Sequence, residues 1–181
     1  MNDTPVLFRA VAATLSANGF RPVPIKPGTK YPGFDDWQHF EYTPGCEERF
    51  PDYGCGILLG DVVAVDIDCD DESMAARLEE SIRNVLGVGD EALIPCRFGR
   101  YPRRVLLFRS DQPFAKQKTA SYRRDARKAQ VEILGQGQQV VVYGIHPDTG
   151  RPYKWRDHGG SPLTVPRANL PGLGGGFHGR S

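Results

Sequence analysis

The segment from Val62 to Cys69 constrains the fold of this chain more than any other stretch. Its first four residues are apolar and fit a strand inside a hydrophobic core, and the run then meets aspartates at positions 66 and 68. Because side chains alternate along a strand, Asp66 and Asp68 leave the sheet on the same face. Two like charges side by side repel, and a bound Mg²⁺ or Mn²⁺ removes that repulsion. The segment therefore predicts a core strand that ends in a divalent-metal site.

The same two aspartates have a purely structural interpretation. They begin the acidic turn of residues 68–72 and precede a predicted helix, and aspartate is a common helix cap. A cap needs only one acid, whereas this strand supplies two in phase. We therefore favour metal binding and keep capping as the alternative.

The spacing of apolar residues predicts two helices and at least six strands. The first helix covers residues 5–18 with Thr4 and Pro5 at its start, and the second runs from about Asp71 to Leu86. The buried face of the second helix should carry Met74, Leu78, Ile82 and Val85.

Short apolar runs predict strands at Val23–Lys26, Gly54–Leu59, Val62–Asp68, Arg97–Gly99, Arg104–Arg109, Gln130–Leu134 and Gln139–Tyr143, followed by a hairpin arm with Tyr153 and Trp155. The second and third of these runs flank Gly60-Asp61, a pattern typical of a hairpin. This order of elements indicates an α+β fold with a mixed, mostly antiparallel sheet flanked by helices.

The length of 181 residues favours one domain over residues 1–170. Residues 171–181 contain five glycines and should form a flexible Gly-rich tail or the stump of a linker. The sequence contains no long apolar run and no secretory signal, so we expect a cytoplasmic protein. Its four cysteines form no CxxC pair, and we expect them to be reduced and mostly buried.

Charge is distributed unevenly along the chain. Residues 97–128 contain eleven Lys or Arg against two acids, a local net charge of +9, although the whole chain has a net charge of +1. Such a strip is either ordinary solvated surface or a binding site for phosphates.

Several motifs, taken together in order, resemble a known family. They are Gly56–Gly60, Asp66-x-Asp68, an arginine-rich strand, Val131–Gly135, Val140–Gly144, His146 and Tyr153-x-Trp155. Over roughly residues 5–171 the chain resembles the bifunctional primase-polymerase domain of the archaeo-eukaryotic primase superfamily, found in plasmid, phage and prophage replication proteins. The resemblance implies a primase-like catalytic core that polymerises nucleotides.

The resemblance also implies roles for individual residues. Asp66 and Asp68 match the family's first metal motif, and Glu132 lies where the family places a third acid, so the three would be catalytic and would hold Mg²⁺ or Mn²⁺, with two ions expected. The family's middle motif normally ends in a histidine that contacts the nucleotide phosphates, and this chain offers Arg103 and Arg104 there instead.

The remaining assignments concern binding. The nucleotide-binding residues would be Arg97, Arg103, Arg104, His146 and Lys30. The residues that follow the nucleic-acid backbone would be Arg123, Arg124, Arg127 and Lys128. The partners implied are nucleoside triphosphates, a single-stranded or primed DNA template and a helicase domain or protein.

Adjacent arginines on a strand point to opposite faces. Only one of Arg103 and Arg104 can therefore face the metals. If the ligand face is the one that bears Arg104, this residue holds the triphosphate and Arg103 contributes little.

Two other classes of protein stay open. A metal-dependent nuclease also needs acids near a basic surface, but the residues that follow Glu132 include no lysine or histidine to act as a general base. A catalytically degenerate module that only binds nucleotides or nucleic acid is the other alternative. Metal-dependent extension of a primed template separates the three classes.

The basic strip generates a testable prediction about DNA affinity. Affinity should fall steeply with salt, because cations that bind phosphates release counterions. Reversing Arg123, Arg124 and Arg127 to Glu should weaken template binding and flatten the dependence of the binding constant on salt, measured by fluorescence anisotropy. An unchanged dependence would mean that these residues are only solvated surface.

Overall fold

The computed structural model of the chain describes residues 4–89, 92–112, 116–119, 122–124 and 127–173, and for 122–124, 127 and 128 it describes the backbone only. Within these ranges there are two α-helices, α1 (Phe8–Ala17) and α2 (Glu72–Val85). The strands are β1 (Pro22–Ile25), β2 (Gly54–Leu58), β3 (Val62–Cys69), β4 (Cys96–Phe98), β5 (Arg104–Arg109), β6 (Gln117–Lys118), β7 (Tyr122–Arg124), β8 (Arg127–Leu134), β9 (Gln139–Tyr143) and β10 (Lys154–Trp155).

The strands form two antiparallel sheets. The smaller sheet has the order β1-β2-β9, and the larger has the order β10-β4-β5-β3-β8-β6, with β7 paired to β8. In the larger sheet β3 lies between β5 and β8, so the strand that carries Asp66 and Asp68 is central. The predicted α+β class with a mostly antiparallel arrangement is confirmed.

The predicted hairpin between residues 54–59 and 62–68 is wrong, because β2 and β3 belong to different sheets. The tight two-residue hairpin turns need positive φ at one or both central residues, and neither Gly60 nor Asp61 is among the positive-φ residues. The backbone N–H of Leu59 instead donates to the carbonyl of Gln138. The chain thus passes from one sheet to the other at this point.

Helix α1 begins later than its sequence pattern suggests, whereas α2 begins where it was expected. Helix α1 starts at Phe8, has Leu7 at its N-cap and receives no side-chain cap, so Thr4 and Pro5 precede it. Helix α2 is capped by Asp71, whose Oδ1 accepts a hydrogen bond from the Met74 N–H at 2.9 Å. Since Asp71 is the cap, Asp66 and Asp68 are not needed for that role.

The predicted apolar face of α2 is only partly buried. Leu78 and Ile82 pack against the core, but Met74 and Val85 are 41% and 70% exposed. Ala75 and the charged Glu79 are buried in their place. No helix in the described part of the chain combines the length and apolar character required to cross a membrane. The four cysteines are free thiols, and all but Cys46 are buried.

The two faces of the larger sheet differ in what covers them. Alternate residues Val62 and Ala64 of β3 belong to the core that includes α1 and the smaller sheet. Their neighbours Val65 and Ile67 belong to the core beneath α2. The α1 face therefore also carries Asp66 and Asp68, which continue the same alternation.

The strand register fixes a row of residues across the α1 face, which we call the central row. In strand order it consists of Trp155, Arg97, Val105, Asp66, Glu132 and Lys118, each directly opposite the next. Directly opposed residues in antiparallel strands project on the same side. The register thus brings Arg97, Asp66 and Glu132 to one face from three different strands.

A buried ion network lies on the other face, under α2. Glu79 accepts hydrogen bonds from Arg156 at 2.7 and 2.9 Å and from Arg104 at 2.9 Å, and Arg104 also donates to Glu72 at 2.7 Å. Burial opposes the charge on Glu79, but the hydrogen bonds from the two arginines outweigh it and lower the pKa of Glu79. The network ties α2 to β5 and to the end of β10.

Glu79→Ala should therefore destabilise the fold strongly. The substitution leaves two partly buried guanidinium groups without their shared carboxylate, which costs about 3 kcal/mol or more. Urea unfolding at neutral pH should reveal the loss, whereas Glu80→Ala, on the exposed side of the same helix, should change stability by less than about 0.5 kcal/mol.

The pH dependence of this difference has a definite sign. A carboxyl whose pKa is lowered on folding contributes stability at neutral pH, and the contribution is lost as the pH falls through the lowered value. The gap between wild type and Glu79→Ala should thus narrow in acid. Equal stability of the two proteins at neutral pH would contradict the role given to Glu79.

Candidate active site

A cleft of about 250 Å³ opens on the α1 face of the larger sheet, above β3. Its lining includes seven residues expected from the sequence to act at the site, namely Lys30, Asp66, Asp68, Arg97, Arg103, Arg104 and His146. These residues come from the loop after β1, from β3, from β4 and the turn that follows it, from the start of β5, and from the segment after β9. The cleft therefore gathers acids and cations that are far apart in the sequence.

Asp66 is a partly buried acid in the cleft. Burial raises its pKa; the charge of Arg97 lowers the pKa, and the charges of Asp68 and Glu132 raise it again. These effects describe a carboxylate that lacks enough positive charge around it. A divalent cation at this position would supply that charge.

Asp68 already has a cation from its own chain. The Arg103 Nη1 atom lies 2.5 Å from Asp68 Oδ1, and the same guanidinium contacts Asp70 through Nη2 at 2.7 Å and Nε at 2.8 Å. Arg103 is about one-quarter exposed, so it can be reached from the cleft. Arg103 thus compensates the charge of Asp68 but not that of Asp66.

Glu132 lies directly opposite Asp66 in the register but does not line the cleft. Its carboxylate forms ion pairs with Lys116, at 3.0 Å, and with Lys118, at 3.6 Å. Across the described ranges, no three His, Cys, Asp or Glu residues are grouped closely enough to hold a metal ion. Asp66 and Asp68 thus fit a cation as a pair, and Glu132 completes the set only if it leaves its lysines.

Arg97 is buried beside Asp66. Its guanidinium lies 4.4 Å from the centre of the Tyr153 ring, a cation–π contact, and its Nε has no hydrogen-bond partner among the described residues. Burial lowers the pKa of Arg97, while Tyr153 and Asp66 raise it. A buried cation with an unused donor is suited to bind an anion that enters the cleft.

His146 and Lys30 form the opposite wall. The backbone N–H of Asp148 donates to Nδ1 of His146 at 3.2 Å, so the proton of the neutral ring is on Nε2. Burial lowers the pKa of His146, and the charge of Lys30 lowers it further, which favours the neutral ring. Lys30 is half exposed and lies 3.4 Å from Asp148.

Gly99 leaves room for the rings of His146 and Tyr153. A side chain built at this position would place its Cβ 2.6 Å from His146 Cδ2 and 2.6 Å from Tyr153 Cε1. Contacts that short do not occur in folded proteins, so only glycine fits here without displacing the two rings.

Arg104 borders the cleft, but the described ion pairs of its guanidinium are with acids other than Asp66 and Asp68. It lies on the α2 face, where its side chain is 4% exposed and its partners are Glu72 and Glu79. The condition under which Arg104 would hold the triphosphate is therefore not met, and Arg103 is the arginine on the ligand face. Sequence alternation separated the two arginines correctly but did not reveal which face was which.

The residues expected to follow the nucleic-acid backbone lie in β7 and β8. Arg123 pairs with Lys128 and Arg124 with Arg127 across these two antiparallel strands. Their side chains lie outside the described part of the structure, so their role stays a prediction.

Sequence reasoning did not assign Gly99, Asp70, Tyr153, Lys116 or Lys118 to the site. Tyr153 was noted only as part of a motif, and nothing in the sequence places it on Arg97. The two lysines carry a usable signal, since residues two apart share a face where the chain is extended. That signal becomes meaningful only once β6 is known to pair with β8.

Two antiparallel sheets with an acid pair in a cationic cleft define a primase-like α+β core. The family model described as Bifunctional DNA primase/polymerase, N-terminal matches residues 12–172, and the chain belongs to this family. No curated protein matches the chain. Membership implies nucleotide and DNA substrates and an enzyme of the nucleotidyltransferase type.

The positions of the two arginines predict opposite effects of their removal. Arg103→Gln should weaken the binding of a nucleoside triphosphate about tenfold or more, since a lost charge-assisted contact costs about 1.5–3 kcal/mol. Arg104→Gln should instead lower the melting temperature with little change in nucleotide affinity. Isothermal titration and thermal unfolding of both variants measure the two effects, and the reverse pattern would contradict this assignment.

Proposed function

We propose that this chain catalyses template-directed nucleotidyl transfer, as a DNA primase or DNA polymerase. The observation that carries the proposal is the pair of in-phase carboxylates, Asp66 and Asp68, at the floor of a cleft with cationic walls. Acids alone would suit many metal enzymes. Acids facing buried and half-buried cations suit a substrate that carries both a metal ion and phosphates.

In this proposal Asp66 and Asp68 hold Mg²⁺ or Mn²⁺, and Glu132 joins them from the neighbouring strand. Bound metal would stabilise the 3′-oxygen nucleophile and neutralise charge on the departing pyrophosphate. Asp66 would be a main ligand, because burial raises the pKa of its carboxyl group and too little positive charge surrounds it.

The cations position the triphosphate. Arg97 offers donors from within the cleft, where its Nε lacks a partner among the described residues. Arg103 can exchange Asp68 for a phosphate oxygen, because its guanidinium is partly exposed. The neutral His146 can donate from Nε2, and Lys30 adds a mobile charge at the rim.

One contact favours a second candidate function. A lysine next to the third acid is typical of metal-dependent nucleases, and the structure places Lys116 3.0 Å from Glu132. The sequence around Glu132 does not suggest this contact, because Lys116 comes from the segment before β6. Shortening of the DNA instead of extension would support the nuclease.

The biological setting is a further part of the proposal. The resemblance that supports it points to plasmid, phage or prophage replication, in which a helicase domain or protein would expose the template. Nothing in the fold depends on that setting, so the chemistry can be tested without it.

The central test is the Asp66→Asn plus Asp68→Asn variant on primed and unprimed templates with each nucleotide type and either metal. Incorporation should fall to background, because the amides are far weaker ligands for Mg²⁺ or Mn²⁺. The melting temperature should hold or rise, since the repulsion between the carboxylates is gone. Wild-type incorporation by this variant would contradict the proposed function.

A further inference from the structure

The lysine pair, Lys116 and Lys118, occupies an unusual position relative to the acids. Lys118 directly opposes Glu132 in the register, and Lys116 is two residues earlier and hence on the same face. Both are about half exposed, at 45% and 56%, whereas Glu132 is 21% exposed. The pair therefore joins an inner carboxylate to the outer surface of the protein.

The pair lies at a short strand, since Lys118 is the last residue of β6 and Lys116 directly precedes it. Strand β6 has two residues and lies at the edge of the larger sheet. After it, the backbone N–H of Thr119 donates to the Val131 carbonyl, and the Val131 N–H donates to Thr119 Oγ1 at 3.0 Å. These bonds fix the register, while the long lysine side chains can change partners without moving the backbone.

We propose that the lysine pair makes metal binding depend on nucleic acid. Without DNA, Lys116 and Lys118 neutralise Glu132 and keep it from the cation at Asp66 and Asp68. Phosphates of a bound strand then take over the two ammonium groups. Glu132, directly opposite Asp66, is left as a third carboxylate for the metal. The inference rests on the proposed function and adds a positioning role for two residues that act through Glu132.

The strengths of the contacts permit this exchange. Ion pairs between partly exposed side chains are weak, and phosphates attract lysine by the same electrostatic force. Glu132 released from its lysines would lie beside the buried and already undercompensated Asp66, so the site would gain affinity for a cation. By thermodynamic linkage, if bound DNA raises the affinity for the metal by some factor, bound metal must raise the affinity for DNA by the same factor.

The test measures Mn²⁺ binding by electron paramagnetic resonance of the free ion, with no nucleotide present and hence no catalysis. Each protein is titrated with and without a saturating short single-stranded oligonucleotide. The Asp66→Asn plus Asp68→Asn variant reports the metal taken up by the oligonucleotide itself, and that background is subtracted.

In the wild type, the oligonucleotide should raise Mn²⁺ affinity about three- to tenfold, the range that two exposed ion pairs of ordinary strength allow. Lys116→Gln plus Lys118→Gln should bind Mn²⁺ tightly without DNA and gain little from it. Glu132→Gln should bind weakly in both conditions. A matched control, Arg9→Gln plus Arg77→Gln, removes the same charge from exposed positions on α1 and α2 and should behave like the wild type.

The outcomes separate this inference from the proposed function. Two results would overturn the inference and leave the metal site in place. In the first, DNA does not change the Mn²⁺ affinity of the wild type; in the second, DNA changes the affinity of the wild type and of the lysine variant equally. Absence of Mn²⁺ binding in every protein would overturn both. If DNA raises the Mn²⁺ affinity of the lysine variant as much as that of the control, DNA acts through residues other than Lys116 and Lys118, and the inference is wrong.

Discussion

The packing of β3 between β5 and β8 forces several charges into one small volume. Asp66 opposes Val105 on one side and Glu132 on the other, and Arg97 is one strand further along the same row. Neither carboxylates nor guanidinium groups tolerate burial without compensation. The neighbours of Asp66 therefore matter chiefly through the charge that they bring. In the cleft, the negative charge of the acids is only partly compensated by the cations of the chain.

The two faces of the larger sheet carry different groups of charged residues. Arg103 directly precedes β5 and contacts Asp68 and Asp70, whereas Arg104 is the first residue of β5 and contacts Glu72 and Glu79 beneath α2. The α2 side is satisfied within the chain by bidentate and shared hydrogen bonds. The cleft side keeps donors and acceptors that remain available to a ligand. Two consecutive residues thus supply one arginine to the network beneath α2 and one to the cleft.

Sequence predicted the elements better than their partners. Strands β5 and β9 match their expected bounds, because continuous apolar runs between turn residues leave little choice. The division into two sheets was missed, since a run such as Gly54–Leu58 fits the centre of any sheet and its partners lie far along the chain. The acid pair followed from strand alternation alone. The burial of Glu79, the face of Arg104 and the lysines at Glu132 depend on tertiary pairing, which local periodicity does not contain.

Gly99 has a consequence for how this site can vary between relatives. The rings of His146 and Tyr153 occupy the space that any side chain at this position would need. Arg97, Lys30 and His146 can each be replaced without such a clash. A change at Gly99 displaces both rings together, and with Tyr153 the aromatic surface against which Arg97 lies. The side chains that line the cleft can therefore vary one at a time, whereas a larger residue at position 99 requires both rings to move.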